Sequence, residues 1–183
     1  MVQAPDRSPG PVSLTPLSGH KPGIILSLLQ QSYRELIDSS PEFAASEAPR
    51  WAEYDREAFL HPETVGACIF VTCLGRIPIG FGSWEPVPNR GLGFVGHNCI
   101  LPPHRRQGYG ARQLGEIVRR MRAQGLRTIK VTTSDHQFFT PARSMYRSFG
   151  FRDVGHRAGG SIPGYGLVDY QLPPRIRHRR DVR

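Results

Sequence analysis

The chain is 183 residues long, with 38% hydrophobic and 21% charged residues, which suits one soluble globular domain with room for a proper core. No apolar run approaches the ~20 residues of a membrane span, the first 20 residues lack the apolar stretch of a signal peptide, and three cysteines (Cys68, Cys73 and Cys99) make an odd set, so a reducing cytoplasm without a disulfide framework is expected. The net charge of +9 is almost all arginine, Lys21 and Lys130 being the only lysines, and such a balance serves nucleic acid, a polyanionic cofactor or a plain solvated surface.

Residues 1–20, rich in Pro, Ser and Gly, read as a flexible leader. Pro22 suits a first helical turn, and Ile25, Leu28, Leu29, Ser32 and Leu36 form a helical stripe ending near Asp38. Residues 39–64 then interleave Glu42, Glu47, Glu53, Asp55 and Glu57 with Phe43, Trp51, Tyr54 and Phe59. That segment reads as a second helix with a solvated acidic face, or as a lip that draws a cationic amine through charge and aromatic faces.

Two β-rich runs, 66–74 and 77–84, flank Gly75-Arg76, a hairpin signal, and Pro78 gives the second run a late start or a free edge. Glu85 closes that run, 86–91 form a loop, and 92–101 return as a strand. A helix from about Tyr109 to Gln124 follows, with Leu114, Ile117, Val118 and Met121 on one face and Gly125 as its stop. Ile129, Val131 and Thr133 alternate along a strand. After a loop, Thr140-Pro141 supplies an N-cap and first position for a short helix with Ala142, Met145, Tyr146 and Phe149 on one face and Gly150 at its end. Residues 151–156 and 165–172 read as closing strands, and the arginine-rich segment 173–183 as a disordered tail beyond a domain spanning 21–172.

The chain is organised around Ile100-Leu101-Pro102-Pro103-His104-Arg105-Arg106-Gln107-Gly108-Tyr109-Gly110-Ala111, where a strand runs through a glycine turn into a helix. The first amides of a helix have no intrahelical acceptors and carry the positive end of its dipole. Gly108 and Gly110 let an anion approach them closely, and Arg105 and Arg106 add charge, so the turn reads as a pyrophosphate cradle. A P-loop is excluded by the missing Lys-Ser/Thr, and the dinucleotide fingerprint by its third glycine.

Arg105-x-x-Gly108-x-Gly110 resembles the Arg/Gln-x-x-Gly-x-Gly/Ala acyl-CoA signature of the GNAT superfamily of N-acetyltransferases. About 40 residues on, Ala142-x-x-Met145-Tyr146-x-x-x-Gly150-Phe151 resembles the same family's Ala-x-x-Leu-Tyr-x-x-x-Gly-Phe ending. The resemblance covers roughly residues 22–172. It implies an α/β fold with a mixed, mostly antiparallel sheet flanked by helices, and a split beside Ile100 that holds acetyl-CoA. Backbone groups at Cys99 and Ile100 would pair with the pantetheine arm, and Arg105, Arg106, Gln107, Gly108, Tyr109, Gly110 and Ala111 would hold the pyrophosphate. Tyr146 matches the tyrosine that protonates the departing thiolate, while Phe139 stands where the family often has a cofactor-touching asparagine.

The implied activity is direct acetyl transfer to a primary amine of a small molecule or peptide, with a non-catalytic acyl-CoA sensor as the alternative. The base that takes the amine proton is His97, Glu85 or a water relay. The resemblance aligns the family's usual base positions with Phe94 and Gly96, and because residues on a strand alternate faces, His97 qualifies only if a bulge shifts the phase. Cys99 reads as a small buried residue rather than an acyl-carrying nucleophile. No metal spacing is present; neither a membrane nor a nucleic-acid partner is expected, and a homodimer is compatible with the pattern.

Overall fold

The computed structural model describes residues 10–174. Seven strands form one sheet in the order β1-β2-β3-β4-β5-β7-β6. They are β1 (Val12–Pro16), β2 (Ile69–Leu74), β3 (Ile77–Val87), β4 (Leu92–Ile100), β5 (Thr128–Ser134), β6 (Arg152–Arg157) and β7 (Leu167–Leu172). Every neighbouring pair is antiparallel except β4 and β5. The helices are α1 (Ile24–Ser32), α2 (Arg34–Ser39), α3 (Pro41–Leu60), α4 (Tyr109–Ala123) and α5 (Thr140–Phe149).

The apolar stripes decide which helix covers which face. Leu114, Ile117, Val118 and Met121 of α4 are buried with Phe70, Trp84, Val95, Ile129, Val131, Val168 and Tyr170, and α5 adds Tyr146 to this layer. On the opposite face Ile25, Leu28 and Leu29 of α1, Leu36 of α2 and Phe43, Trp51 and Ala58 of α3 pack on Ile69, Val71, Phe81 and Cys99. The result is the mixed, mostly antiparallel sheet between helices that the family resemblance implied.

Four local expectations are corrected. Residues 12–16, read as part of a flexible leader, form β1, because the outer edge of β2 offers a ladder from Val12↔Leu74 to Pro16↔Phe70. The first predicted helix is two, broken at Tyr33, whose φ of −108° and ψ of 14° are not helical. Glu85 does not close its strand, since β3 continues to Val87 opposite β4. Thr140 is the first helical residue of α5 rather than its N-cap, and its Oγ1 accepts a bond from Arg143. The arginine-rich segment from Arg175 onward lies outside the described residues.

Two features of β4 shape the site. Its pairing with β5 runs only from Leu92↔Thr128 to Phe94↔Lys130, after which the two parallel strands separate. Against β3 the register slips between Gly82↔Asn98 and Trp84↔Val95, so Gly96 and His97 together oppose Ser83. This is a β-bulge, which bends a strand and increases its twist. The His97 amide donates to Ser83 Oγ at 2.8 Å, and a Cβ on residue 96 would lie 2.7 Å from that same oxygen, so a larger residue there would have to displace the hydroxyl that holds the bulge.

Candidate active site

The bulge determines where the β4 side chains go. Asn98 faces α4, donating through Nδ2 to the Gly110 carbonyl at 3.3 Å, whereas Cys99 joins the core beneath α1. His97 is half-buried on the α1–α3 side, its ring 5.3 Å from Tyr54 and 5.5 Å from Phe81. Desolvation between those rings lowers its pKa to about 4, so the imidazole is neutral at physiological pH. Glu85 is exposed opposite Phe94. Tyr54 is half-buried, and desolvation pushes its phenol up to about 12 against the opposing effect of a bond with Ser83.

The turn after β4 is built from backbone. Arg106 (φ 60°) and Gly108 (φ 83°) are left-handed, and Tyr109 begins α4 with no side-chain cap on its first turn. A left-handed residue followed by helical ones aims successive amides into one concavity, the geometry of an anion nest. Nothing lies within 4 Å of a Cβ placed on Gly108, so the space before the amides is open. A Cβ on Gly110 would make only ordinary contact, 3.5 Å from Met145 Sδ, which accords with the family pattern allowing alanine there.

Arg105, read as an added phosphate charge, has its guanidinium engaged with the chain itself. Its Nε donates to the Ile100 carbonyl at 2.9 Å, Nη2 donates to the Ser32 carbonyl, and the guanidinium lies 5.5 Å over the Phe138 ring. It therefore fixes the end of β4 to the end of α1. Arg106 and Gln107 are exposed on the turn, Gln107 bonding back to Pro103, while Tyr109 and Gly110 are half-buried.

Tyr146 is 5% exposed on α5, its ring 5.7 Å from Phe151 and 6.0 Å from Tyr170. Burial, then the Tyr170 phenol, raises its pKa above the ordinary tyrosine value, so it stays protonated. Tyr33, at the end of α1, packs its ring 5.7 Å from Phe138 and 6.1 Å from Phe139, and desolvation raises its phenol above the ordinary tyrosine value. Burial pushes the Cys99 thiol up to about 11, the wrong direction for a nucleophile.

Sequence reading missed Gln113. It is fully buried on α4, with Nε2 2.7 Å from the Phe81 carbonyl, 2.6 Å from Asn98 Oδ1 and 3.3 Å from the Cys99 carbonyl, while Oε1 accepts from Thr72. One side chain ties α4 to β2, β3 and β4. Its only sequence signal was a position on the helix one residue before Leu114. Among the described residues no group of three His, Cys, Asp or Glu side chains could hold a metal, and no helix is long and apolar enough to cross a membrane.

The sequence model of the acetyltransferase (GNAT) family matches residues 30–151. No curated protein matches the chain. Among solved structures, a GNAT-family protein from Desulfovibrio desulfuricans is 20% identical, with a TM-score of 0.65 over 89% of this chain and 99% of its own. PaiA N-acetyltransferase from Thermoplasma acidophilum, in complex with coenzyme A, is 13% identical with a TM-score of 0.69, covering 87% and 98%. The ribosomal-protein-S18-alanine N-acetyltransferase from Escherichia coli is 16% identical with a TM-score of 0.51 over 63% and 74%. At these identities the likeness is one of fold.

Proposed function

Because the chain belongs to the GNAT family of acetyltransferases, we propose that it moves an acetyl group from acetyl-CoA to a primary amine of a small molecule or peptide, by direct transfer in a ternary complex. The observation that carries the reading is the uncapped N-terminus of α4 behind a left-handed Gly108, beside a strand that parts from its parallel neighbour after Phe94. These features fit acetyl-CoA: the amides from Arg106 to Ala111 suit a pyrophosphate, and the unpaired side of β4 suits the amide-bearing pantetheine arm. Acetyl-CoA supplies the activated acyl group as a thioester.

The protein's own residues then do three things. Backbone N–H groups near Ile100 polarise the carbonyl that the amine attacks, an oxyanion-hole role. Tyr146 holds a proton at its hydroxyl for the departing thiolate. The proton that the amine loses leaves through a water relay, with His97, brought to the α1–α3 face by the bulge, and Glu85, the exposed carboxylate on the neighbouring strand, as the side chains that can receive it; the lowered pKa of His97 makes it a weak base while it stays desolvated. The new bond is amine nitrogen to carbonyl carbon, the broken one is carbon to sulfur, and one proton leaves the amine as another reaches the sulfur. Three free, buried cysteines suit a reducing cytoplasm.

The test is a calorimetric titration with acetyl-CoA of the wild type, Gly108→Ala and Gly108→Glu. Both variants carry the same left-handed strain, and neither Cβ meets an obstacle, so their difference isolates the added charge and bulk. Saturable binding that survives in the alanine variant and is lost in the glutamate variant is expected. No wild-type binding at millimolar acetyl-CoA, or equal binding by both variants, overturns the reading.

A further inference from the structure

In a regular strand Val95 and Cys99, an even number of positions apart on β4, would point to the same face. Here they do not, since Val95 is buried with α4 and Cys99 with α1. Packing on the two faces therefore demands one extra residue between them. It does not say which, because Gly96, His97 and Asn98 all lie in the interval.

Ser83 makes the selection. It is 1% exposed on β3, and its Oγ accepts the His97 amide at 2.8 Å, a side-chain bond to the backbone where the ladder skips. The phenol of Tyr54 also bonds Ser83, and the rings of Tyr54 and Phe81 lie 5.3 and 5.5 Å from that of His97. The protruding residue is thus held by its amide from β3 and by its ring from α3 and β3.

The place of the bulge decides what β4 shows to the split. Antiparallel strands bond through alternate pairs. Leu101 donates to the Ile79 carbonyl at 2.8 Å, so the next bonded pair is Cys99 with Phe81, and the amides of Asn98 and Ile100 turn away from β3. That side of β4 has no strand partner beyond Phe94. The Ile100 carbonyl is already taken by Arg105. Moving the bulge one residue on would leave the Ile100 amide in place but turn that of Asn98 out of line, along with the Nδ2 that meets the Gly110 carbonyl.

Resting on the acetyltransferase reading above, we propose that Ser83 is a positioning residue for the pantetheine arm of the cofactor: by holding the bulge at Gly96 and His97, it presents the Asn98 amide to the split beside that of Ile100. The hydroxyl acts from the α1–α3 face of the sheet through the His97 amide and touches no reacting atom. Pantetheine carries two amide groups of its own, which suit a strand edge that offers backbone donors in register.

The test is a calorimetric titration of the wild type, Ser83→Ala and Gly96→Ala with two ligands. One is coenzyme A, and the other is 3′-phosphoadenosine 5′-diphosphate, which is coenzyme A without its pantetheine arm. Alanine at 96 would set its Cβ 2.7 Å from Ser83 Oγ and so displaces the hydroxyl by a second route. In both variants coenzyme A affinity should fall about tenfold, as for one lost hydrogen bond, while affinity for the diphosphate stays within about twofold and reports an intact fold. Hydrogen exchange of the His97 amide should quicken about tenfold in Ser83→Ala. Equal losses for the two ligands would mark a role in stability alone and overturn the proposal, as would unchanged coenzyme A affinity or a His97 amide that stays protected. Wild-type protein that binds the diphosphate as tightly as coenzyme A overturns this proposal alone, whereas wild-type protein that binds neither overturns the acetyltransferase reading with it.

Discussion

Replacing Gln113 with leucine keeps the volume of a fully buried side chain and removes all of its hydrogen bonds. The hydroxyl of Thr72, a residue 1% exposed, loses its acceptor, and Asn98 Oδ1 and the Phe81 and Cys99 carbonyls each lose a donor. A buried group left unsatisfied costs about 1–3 kcal/mol. The carbonyls keep a second lone pair for the ladder and Asn98 keeps its bond to Gly110, so Thr72 dominates, and leucine returns part of the loss through apolar burial. The expected destabilisation is about 3 kcal/mol, a fall in Tm of about 9 °C for a domain of this size. Urea denaturation followed by circular dichroism measures it. Adding Thr72→Val should restore about 1 kcal/mol by removing the stranded hydroxyl, the sign of a direct coupling. A loss below about 1 kcal/mol, or a double variant no more stable than Gln113→Leu, would refute the view that this hub anchors α4 to the sheet.

Three further outcomes are expected. Tyr146→Phe should lower kcat about a hundredfold in steady-state assays while acetyl-CoA affinity stays within about twofold, and unchanged turnover removes the proposed acid. Asp55→Ala leaves the Gly23, Ile25 and Leu26 amides without their carboxylate and should cost about 3 kcal/mol, with faster hydrogen exchange at Ile25 and Leu26 as its local mark. The His97 pKa of about 4 lies below the unfolded value of 6.5, so the unfolded chain takes up this proton first as pH falls. Its contribution to stability is then complete above about pH 6.5 and lost as pH drops towards 4. An NMR titration of the imidazole checks this, and a midpoint of 6 or higher contradicts the burial argument.

The parts of the fold legible in the sequence were those fixed by local pattern. Leu114, Ile117, Val118 and Met121 repeat at helical spacing and all are buried, and Gly75 takes the positive φ that its hairpin turn required. What escaped depends on partners distant in the chain. Val12–Pro16 is short and set in a Pro-, Ser- and Gly-rich stretch, and it becomes β1 because β2 presents a free edge. Asp55 looked like one more solvated acid of α3, but it accepts from the α1 amides some 30 positions earlier. Arg105 fits the phosphate-loop signature by spacing, and only the approach of Ser32 and Ile100 turns its guanidinium inward. The β4 bulge was legible only as a condition on His97, since Gly96 is small enough to permit it and the register that requires it belongs to β3.

That bulge also determines which genetic changes the strand can absorb. Loss of a residue from a regular strand inverts every side chain on one side of the cut. In β4 the pair Gly96–His97 opposes a single residue, so deleting Gly96 would leave His97 facing Ser83, with Val95 still opposite Trp84 and Asn98 still opposite Gly82. At this one point a codon can be lost without turning the core inside out. The ladder would become regular and the strand straighter, drawing it toward β5. A single deletion there would separate two properties that substitutions perturb together: an intact hydrophobic interior, and a gap between neighbouring strands wide enough to admit a guest.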